Sequence, residues 1–219
     1  MQFSDRIDAA ERLAEALAGY GASQPVILAI PRGAVPMGSV LAKRLHGALD
    51  VVLVSKLRAP NWPELAIGAI DENGWTYLAP RAKEDYASAA YIAEHKQQQL
   101  ALLAQRRQSY TPGRQPEDLA GRVAIVVDDG LATGSTMLAA LHAVRARQPR
   151  RLVCAVPVAH PDALETVAPY ADEVVCLYAP ISFAAVGGYY RDFTQIEDHE
   201  VRRLLNTRSQ ATKETPPIR

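Results

Sequence analysis

The residues of this chain best equipped for chemistry lie between Arg122 and Thr136, in the stretch RVAIVVDDGLATGST. Asp128 and Asp129 are adjacent carboxylates, able to accept hydrogen bonds from a sugar diol. Thr133, Ser135 and Thr136 add hydroxyl donors around Gly134, just ahead of the helical pattern MLAALHAVRA. The first turn of a helix offers backbone N–H groups without intrahelical partners and a partial positive charge. Diol acceptors beside such a turn suit a sugar that carries a phosphate.

The elements that must position these groups can be read from hydrophobic periodicity. Val123–Val127 is an unbroken apolar run that predicts a strand buried on both faces, with the acids at its end. Upstream, residues 5–18 predict an amphipathic helix with Ile7, Ala10, Leu13, Ala14 and Leu17 on one face, Ser4 as its cap and Gly19 and Gly21 at its end. Val26–Ile30 reads as a strand, PRGAVP (31–36) as a loop, 37–45 as a helix and Val51–Ser55 as the next strand. Leu65–Ile70 and Trp75–Leu78 flank the turn DENG and predict a hairpin, followed by a long helix over 81–108 with Tyr86, Ala89, Ala93, Leu100 and Leu103 on one side. After the motif come strand 152–156, helix 161–168 and strand 173–177, then a cap over 180–206 with FAAVGGYYRDF and a last helix, EDHEVRRLL. Residues 207–219 lack apolar periodicity and are expected to be a disordered tail. The alternation of strands and helices predicts an α/β fold, a mostly parallel sheet flanked by helices, in one domain over 1–206 with a core at about 20–180.

Composition narrows the classes of function. The 219 residues are 48% hydrophobic, enough for a substantial core, and 24 basic side chains balance 24 acidic ones. That balance argues against a general nucleic-acid binder. Cys154 and Cys176 fall in apolar strand-like runs and read as small buried hydrophobes, not as a disulfide framework or a metal site. The histidines are scattered without zinc-ligand spacing, and His160 reads as a helix cap at the surface. No apolar run reaches membrane-span length, and the N-terminus has no signal-peptide core, so a cytoplasmic location is expected.

VAIVVDDGLATGST resembles the phosphate-and-ribose signature of type I phosphoribosyltransferases: a hydrophobic strand, two acids, two intervening residues, a small residue, then TG and Ser/Thr. IPRGAVP resembles that family's pyrophosphate loop, VVLVSK has the basic residue expected at the second strand end, and FAAVGGYYRDF resembles the C-terminal hood of uncharacterised bacterial members. The similarity covers roughly residues 20–200. It implies 5-phosphoribosyl-1-pyrophosphate as donor, Mg²⁺ as cofactor and a nitrogenous acceptor, base or amine, that displaces pyrophosphate at C1 of the ribose. Asp128 and Asp129 would bind the ribose hydroxyls and assist the Mg²⁺, while Ala132, Thr133, Gly134, Ser135 and Thr136 wrap the 5-phosphate. Arg32, Gly33 and Lys56 would meet the pyrophosphate, the glycine allowing close backbone approach. A homodimer or higher homo-oligomer is expected, with no membrane partner. Members acting on 6-oxopurines usually carry Asp just before the TG, where this chain has Ala132. That leaves adenine, orotate, uracil or another amine as acceptor.

A regulator that senses the same donor and binds RNA or protein would keep the acid pair and phosphate loop too. Arg32 and Lys56 at the leaving-group end favour turnover. A dinucleotide-binding dehydrogenase fits poorly, because IPRGAVPMGS does not give GxGxxG after the first strand. Arg58 and Trp62 stand in or beside a Pro-rich loop that could cover the site. Phe183, Tyr189 and Tyr190 are candidates either for the acceptor pocket or for the hood's own packing.

Overall fold

Neighbouring residues of a strand point to opposite faces, and the central strands of this chain are apolar on both, so each strand serves two cores at once. The computed structural model describes residues 2–62, 65–79, 82 and 87–211. Five parallel strands, β1 (Val26–Ala29), β2 (Ala48–Val51), β6 (Val123–Val127), β7 (Arg151–Val158) and β8 (Glu173–Tyr178), lie in the order β2-β1-β6-β7-β8. Ile27, Ile125 and Val153 pack with α1 (Arg6–Ala16), α2 (Val35–Arg44), α3 (Ala89–Tyr110) and α6 (Asp198–Ala211). Leu28, Val126 and Cys154 join the opposite core, with α4 (Ser135–Arg145) and α5 (Pro161–Val167). The chain leaves β1 toward β2 on one side and leaves β6 toward β7 on the other. The carboxyl ends of β1 and β6 therefore flank a topological switch point, where open α/β sheets bind ligands.

A second sheet is antiparallel, with β3 (Val54–Arg58), β4 (Ala66–Asp71) and β5 (Thr76–Leu78) side by side. The DENG hairpin expected from the sequence forms its outer pair. Asp71 Oδ1 accepts from the backbone N–H groups of Asn73 and Trp75, both at 2.9 Å, which closes the turn. The Trp75 ring then stacks on His142 of α4 at 3.8 Å between centroids, tying this sheet to the motif helix.

The single strand expected at Val51–Ser55 divides between the two sheets. Val52 N–H donates to Ala29 C=O in the parallel sheet, and Leu53 C=O accepts from Glu72 N–H in the hairpin. Both sheets bury this run, so apolar character alone could not locate the crossing. Lys56 consequently lies within β3, opposite Ala69, rather than at the tip of a core strand.

Several element ends also move. Asp5, not Ser4, caps α1: its Oδ1 accepts from Ile7 and Asp8 N–H at 2.7 and 2.8 Å. The helix stops at Ala16, and Gly19 and Gly21 fall in a following 3₁₀ turn, Ala18–Ser23. Ile7 is exposed, and Arg6 takes its place on the buried stripe with Ala9, Ala10 and Leu13. In α3 the buried positions are Ile92, Leu103 and Tyr110, while Ala89 and Ala93 face outward; Tyr86 lies outside the described residues. The last helix runs on to Ala211, into the stretch expected to be disordered, and 212–219 lie outside the described residues. Cys154 is buried and unbridged, its thiol held well above the usual range by burial, and Cys176 is half-buried and also unbridged.

One buried charge anchors the edge of the parallel sheet. The Asp50 side chain is 1% exposed. It accepts from Val51 N–H at 2.8 Å and from Glu117 N–H at 2.9 Å, with Arg107 and Arg114 nitrogens at 3.5 and 3.8 Å. Asp50 thus joins α3 and the segment entering β6 to β2. Removing it leaves two buried N–H donors without their acceptor and takes the second carboxylate from Arg107 and Arg114, which keep Glu72 and Glu117. Asp50→Ala is expected to cost about 3 kcal/mol in urea-induced unfolding, with Asp50→Asn costing distinctly less because the amide oxygen still accepts.

Candidate active site

The chemistry of the site begins where β6 runs out. Asp128 N–H still donates to Ala155 C=O of β7 at 3.4 Å, and Leu131 N–H donates to Val158 C=O at 3.0 Å. The two residues between them, Asp129 and Gly130, are pushed out of the ladder over the carboxyl edge of the sheet. Beyond them Ala132 and Thr133 form an exposed loop, and Gly134 enters α4 with φ of +76°. A side chain there would be strained and its Cβ would sit 3.1 Å from Ala163 C=O. Ser135 opens the helix with its hydroxyl oxygen 3.3 Å from that of Thr133.

The loop after β1 comes to meet the acids. Its Pro31–Arg32 peptide is cis. A Cβ on Gly33 would lie 2.2 Å from Asp129 Oδ2, so only glycine lets this backbone pass so close to the carboxylate. Arg32 leans the other way, with Nη1 3.5 Å from Glu197 Oε2 and 3.8 Å from Asp198 Oδ1 at the start of α6.

These pieces line one cleft of about 800 Å³. Its walls include Arg32, Gly33, Lys56, Asp128, Asp129, Ala132, Thr133, Gly134 and Thr136, which brings nine of the ten residues singled out from the sequence to one place. Ser135 is the tenth; it is buried directly beneath the loop. Trp62 is exposed and lies outside the walls of the cleft, which the β3–β4 connection reaches through Leu65 and Ala66. His160 caps α5, its Nδ1 accepting from Asp162 N–H at 3.1 Å, as its surface reading required.

The acid pair is electrostatically costly. Burial, then the neighbouring Asp129 charge, push the Asp128 carboxyl well above the usual carboxylate range. Burial also raises Asp129, opposed chiefly by Arg6. Lys56 acts on both acids from across the cleft in the opposing direction.

Arg6 is a cleft residue that the sequence reading missed. Its Nε and Nη2 sit 3.0 and 2.9 Å from Asp129 Oδ2, and its Nη1 donates to Thr194 C=O at 2.8 Å. Two signals pointed to it: a cation on the apolar stripe of α1, and a cation at the end of a helix where positive charge is unfavourable.

Of the two readings open for the hood aromatics, the structure bears out packing of the hood itself. Phe3 pairs with Tyr190 as an isolated parallel bridge, with Phe3 N–H on Tyr189 C=O and Arg191 N–H on Phe3 C=O at 2.8 and 2.9 Å. Residues from the start of the chain therefore help to hold it. Tyr190 is buried, and its hydroxyl donates to Asp129 C=O at 2.6 Å. Tyr189 donates to Ser182 C=O and stacks on Phe183 at 5.2 Å, so these aromatics pack the hood itself. The hood's contribution to the cleft comes instead from Val186, Phe193, Gln195 and Ile196.

Among the described residues, no cluster of three or more His, Cys, Asp or Glu could cage a metal, and no helix is long and apolar enough to cross a membrane. Comparison with known proteins then gives the geometry a lineage. Two Mycobacterium tuberculosis proteins, provisionally named phosphoribosyl transferases, are each 43% identical over 205 residues, 93% of this chain. The chain spans about half of their length, 46%. The crystal structure of the Thermus thermophilus protein TT1426 shares 46% identity and superposes with a TM-score of 0.78, covering 94% of this chain and 98% of that one. A uracil phosphoribosyltransferase of Bifidobacterium longum is 28% identical over 137 residues, 63% of this chain and 56% of that protein. The family model described as the phosphoribosyl transferase domain matches residues 3–194, a span that takes in the parallel sheet, the acid-ended strand β6 and the first part of the hood. The chain therefore belongs to the phosphoribosyl transferase domain family, as its resemblance to the type I enzymes implied.

Proposed function

We propose that this protein transfers the 5-phosphoribosyl group from 5-phosphoribosyl-1-pyrophosphate to a nitrogenous acceptor, releasing pyrophosphate. The observation that carries the reading is the convergence on one cleft of a carboxylate pair, a hydroxyl-lined helix start and two cations. Each matches one part of the donor. In this reading the amides and hydroxyls of Thr133–Thr136 hold the 5-phosphate at the N-terminus of α4. The carboxylates of Asp128 and Asp129 accept from the ribose diol. Lys56, on the facing sheet, and Arg32, on the loop after β1, face the pyrophosphate.

The donor set suits Mg²⁺. Two adjacent, half-buried carboxylates share the cleft wall, and only Asp129 has a cationic side chain in direct contact, Arg6 on Oδ2. Mg²⁺ is typically held by one or two carboxylates together with substrate oxygens and waters rather than by an all-protein cage. Asp128 and Asp129 would hold it, and it would supply charge neutralisation for the diphosphate. The chain's own part in the reaction is electrostatic. As the ribosyl centre becomes cationic and the diphosphate departs, Lys56 and Arg32 meet the negative charge that develops on the leaving oxygens. On the acceptor side, Val186, Phe193 and Ile196 offer an apolar wall with the Gln195 amide beside it, suited to an uncharged planar base or amine.

Calorimetric titration should detect Mg²⁺-dependent binding of 5-phosphoribosyl-1-pyrophosphate to the parent protein, and Asp128→Asn should weaken it at least tenfold, about 1.4 kcal/mol. The same substitution should stabilise the ligand-free protein, because it relieves a desolvated like-charge pair. A carboxyl whose pKa is raised by folding loses stability for the fold as pH climbs from the ordinary carboxylate range through the raised value. The gain in Asp128→Asn should therefore be absent in acid and reach about 1 kcal/mol at neutral pH, a rise of roughly 2–4 °C in Tm. An unchanged affinity would remove Asp128 from the donor site.

Lys56→Met should lower kcat/KM, or the release of pyrophosphate from the donor, by roughly tenfold while Tm barely moves, since Lys56 is exposed and Met keeps its apolar stem. Steady-state assays should also find poor use of hypoxanthine and guanine, because Ala132 offers no carboxylate to a purine N–H. Adenine, orotate, uracil and simple amines complete the panel. A kcat/KM above about 10⁴ M⁻¹s⁻¹ on either 6-oxopurine would overturn the argument from Ala132.

A further inference from the structure

Arg6 joins three parts of the cleft through one side chain: the helix that carries it, the acid-bearing loop and the hood, whose Tyr190 hydroxyl reaches the same loop only at the Asp129 backbone carbonyl. Its side chain is 10% exposed, with all three guanidinium nitrogens and one face of the plane engaged. Nε and Nη2 hold Asp129 Oδ2 at 3.0 and 2.9 Å, on the loop after β6. Nη1 donates to Thr194 C=O at 2.8 Å, and Cζ lies 3.9 Å from the centroid of Phe193, both in the hood. The chain is also pinned to the hood two residues before Arg6, just ahead of α1, where Asp192 N–H donates to Ser4 C=O at 2.9 Å. Thus a single planar cation fixes the orientation of a carboxylate assigned to the donor and the position of the hood wall assigned to the acceptor.

We propose that Arg6 is a positioning residue that couples the two substrates: occupation of the diol end of the cleft is transmitted through its guanidinium to Phe193 and Thr194. The proposal rests on the reading of Asp129 as a ribose ligand. Any diol that binds Asp129 must share that carboxylate with Arg6. The guanidinium cannot adjust to a new arrangement at Asp129 without moving its bond to Thr194 and its stacking on Phe193. Such coupling is reciprocal, so an ordered hood in turn favours the Asp129 rotamer that receives the donor. Lysine could replace the ion pair with Asp129. It could not also hold the Thr194 carbonyl in plane and lie flat on the Phe193 ring, because an ammonium is a point charge without a fork.

The test is hydrogen exchange of the backbone amides of residues 190–196, read with and without ribose 5-phosphate, at ten times its Kd for each protein. In the parent the ligand should slow hood exchange by about fivefold or more. In Arg6→Lys the ligand should still bind, and the hood should exchange at its ligand-free rate even when the site is full. Arg6→Met should behave in the same way with weaker binding, and its fold is checked by unchanged protection of the β6 and β7 amides. Should Arg6→Met fail to fold, Arg6→Lys carries the test alone. Full hood protection in liganded Arg6→Lys would overturn the coupling while leaving the donor site intact. Ribose 5-phosphate bound by the parent with no slowing of the hood would do the same. Failure of the parent to bind either ribose 5-phosphate or 5-phosphoribosyl-1-pyrophosphate would overturn the site reading itself, and the coupling with it.

Discussion

Two neighbouring carboxylates at the end of the fully buried central strand β6 are the constraint to which the rest of this protein answers. The backbone on either side of Asp128 and Asp129 is pinned to β7, which holds both residues at the carboxyl edge of the sheet. They cannot reach bulk water freely. A like-charge pair in such a place raises the cost of ionisation, and the fold answers with charge brought from a distance: Arg6 from the first helix and Lys56 from the small antiparallel sheet. Gly33 removes the one side chain that would keep the neighbouring loop off Asp129. The site is thus a compromise in which local instability at the acids is accepted and offset by contacts of long sequence separation.

That arrangement explains why the scaffold needs two sheets. The parallel sheet supplies the switch point and the strand that presents the acids. It does not place a cation across the opening. The β3–β5 sheet does so, and it is held in position by Trp75 stacking on His142 of α4, the same helix whose N-terminus flanks the acids. The two walls of the cleft therefore share one helix as their reference.

Much of this was legible in the sequence where a signal was local. The run Val123–Val127 is a strand in any environment with two apolar faces, and DDGLATGST marks its end and the helix start. The hairpin around DENG was equally plain, since Asp71 and Gly74 specify a tight turn. What escaped were features that tertiary contacts decide. The division of Val51–Val54 between two sheets depends on which carbonyl each amide finds, and a uniformly apolar run carries no mark of that choice. The hood aromatics face their own packing because Tyr190 finds the Asp129 carbonyl and Tyr189 the Ser182 carbonyl, partners 61 and 7 residues away. Arg6 was visible only as an anomaly: helical periodicity put it on the face of Ala9, Ala10 and Leu13, where a charge needs a reason that lies 123 residues further on.

The pairing of Phe3 and Ser4 with residues 189–192 also sets an order of assembly. A chain made from its N-terminus exposes Phe3 and Arg6 early, and their hood partners emerge only after all five strands of the parallel sheet have been synthesised. The sheet can collapse on local crossovers in the meantime, since each parallel neighbour except β6 on β1 follows its partner by one helix or loop. The cleft can be complete only once its hood residues, Phe193 to Ile196, have followed the whole parallel sheet, and until then the acid-bearing loop lacks that wall.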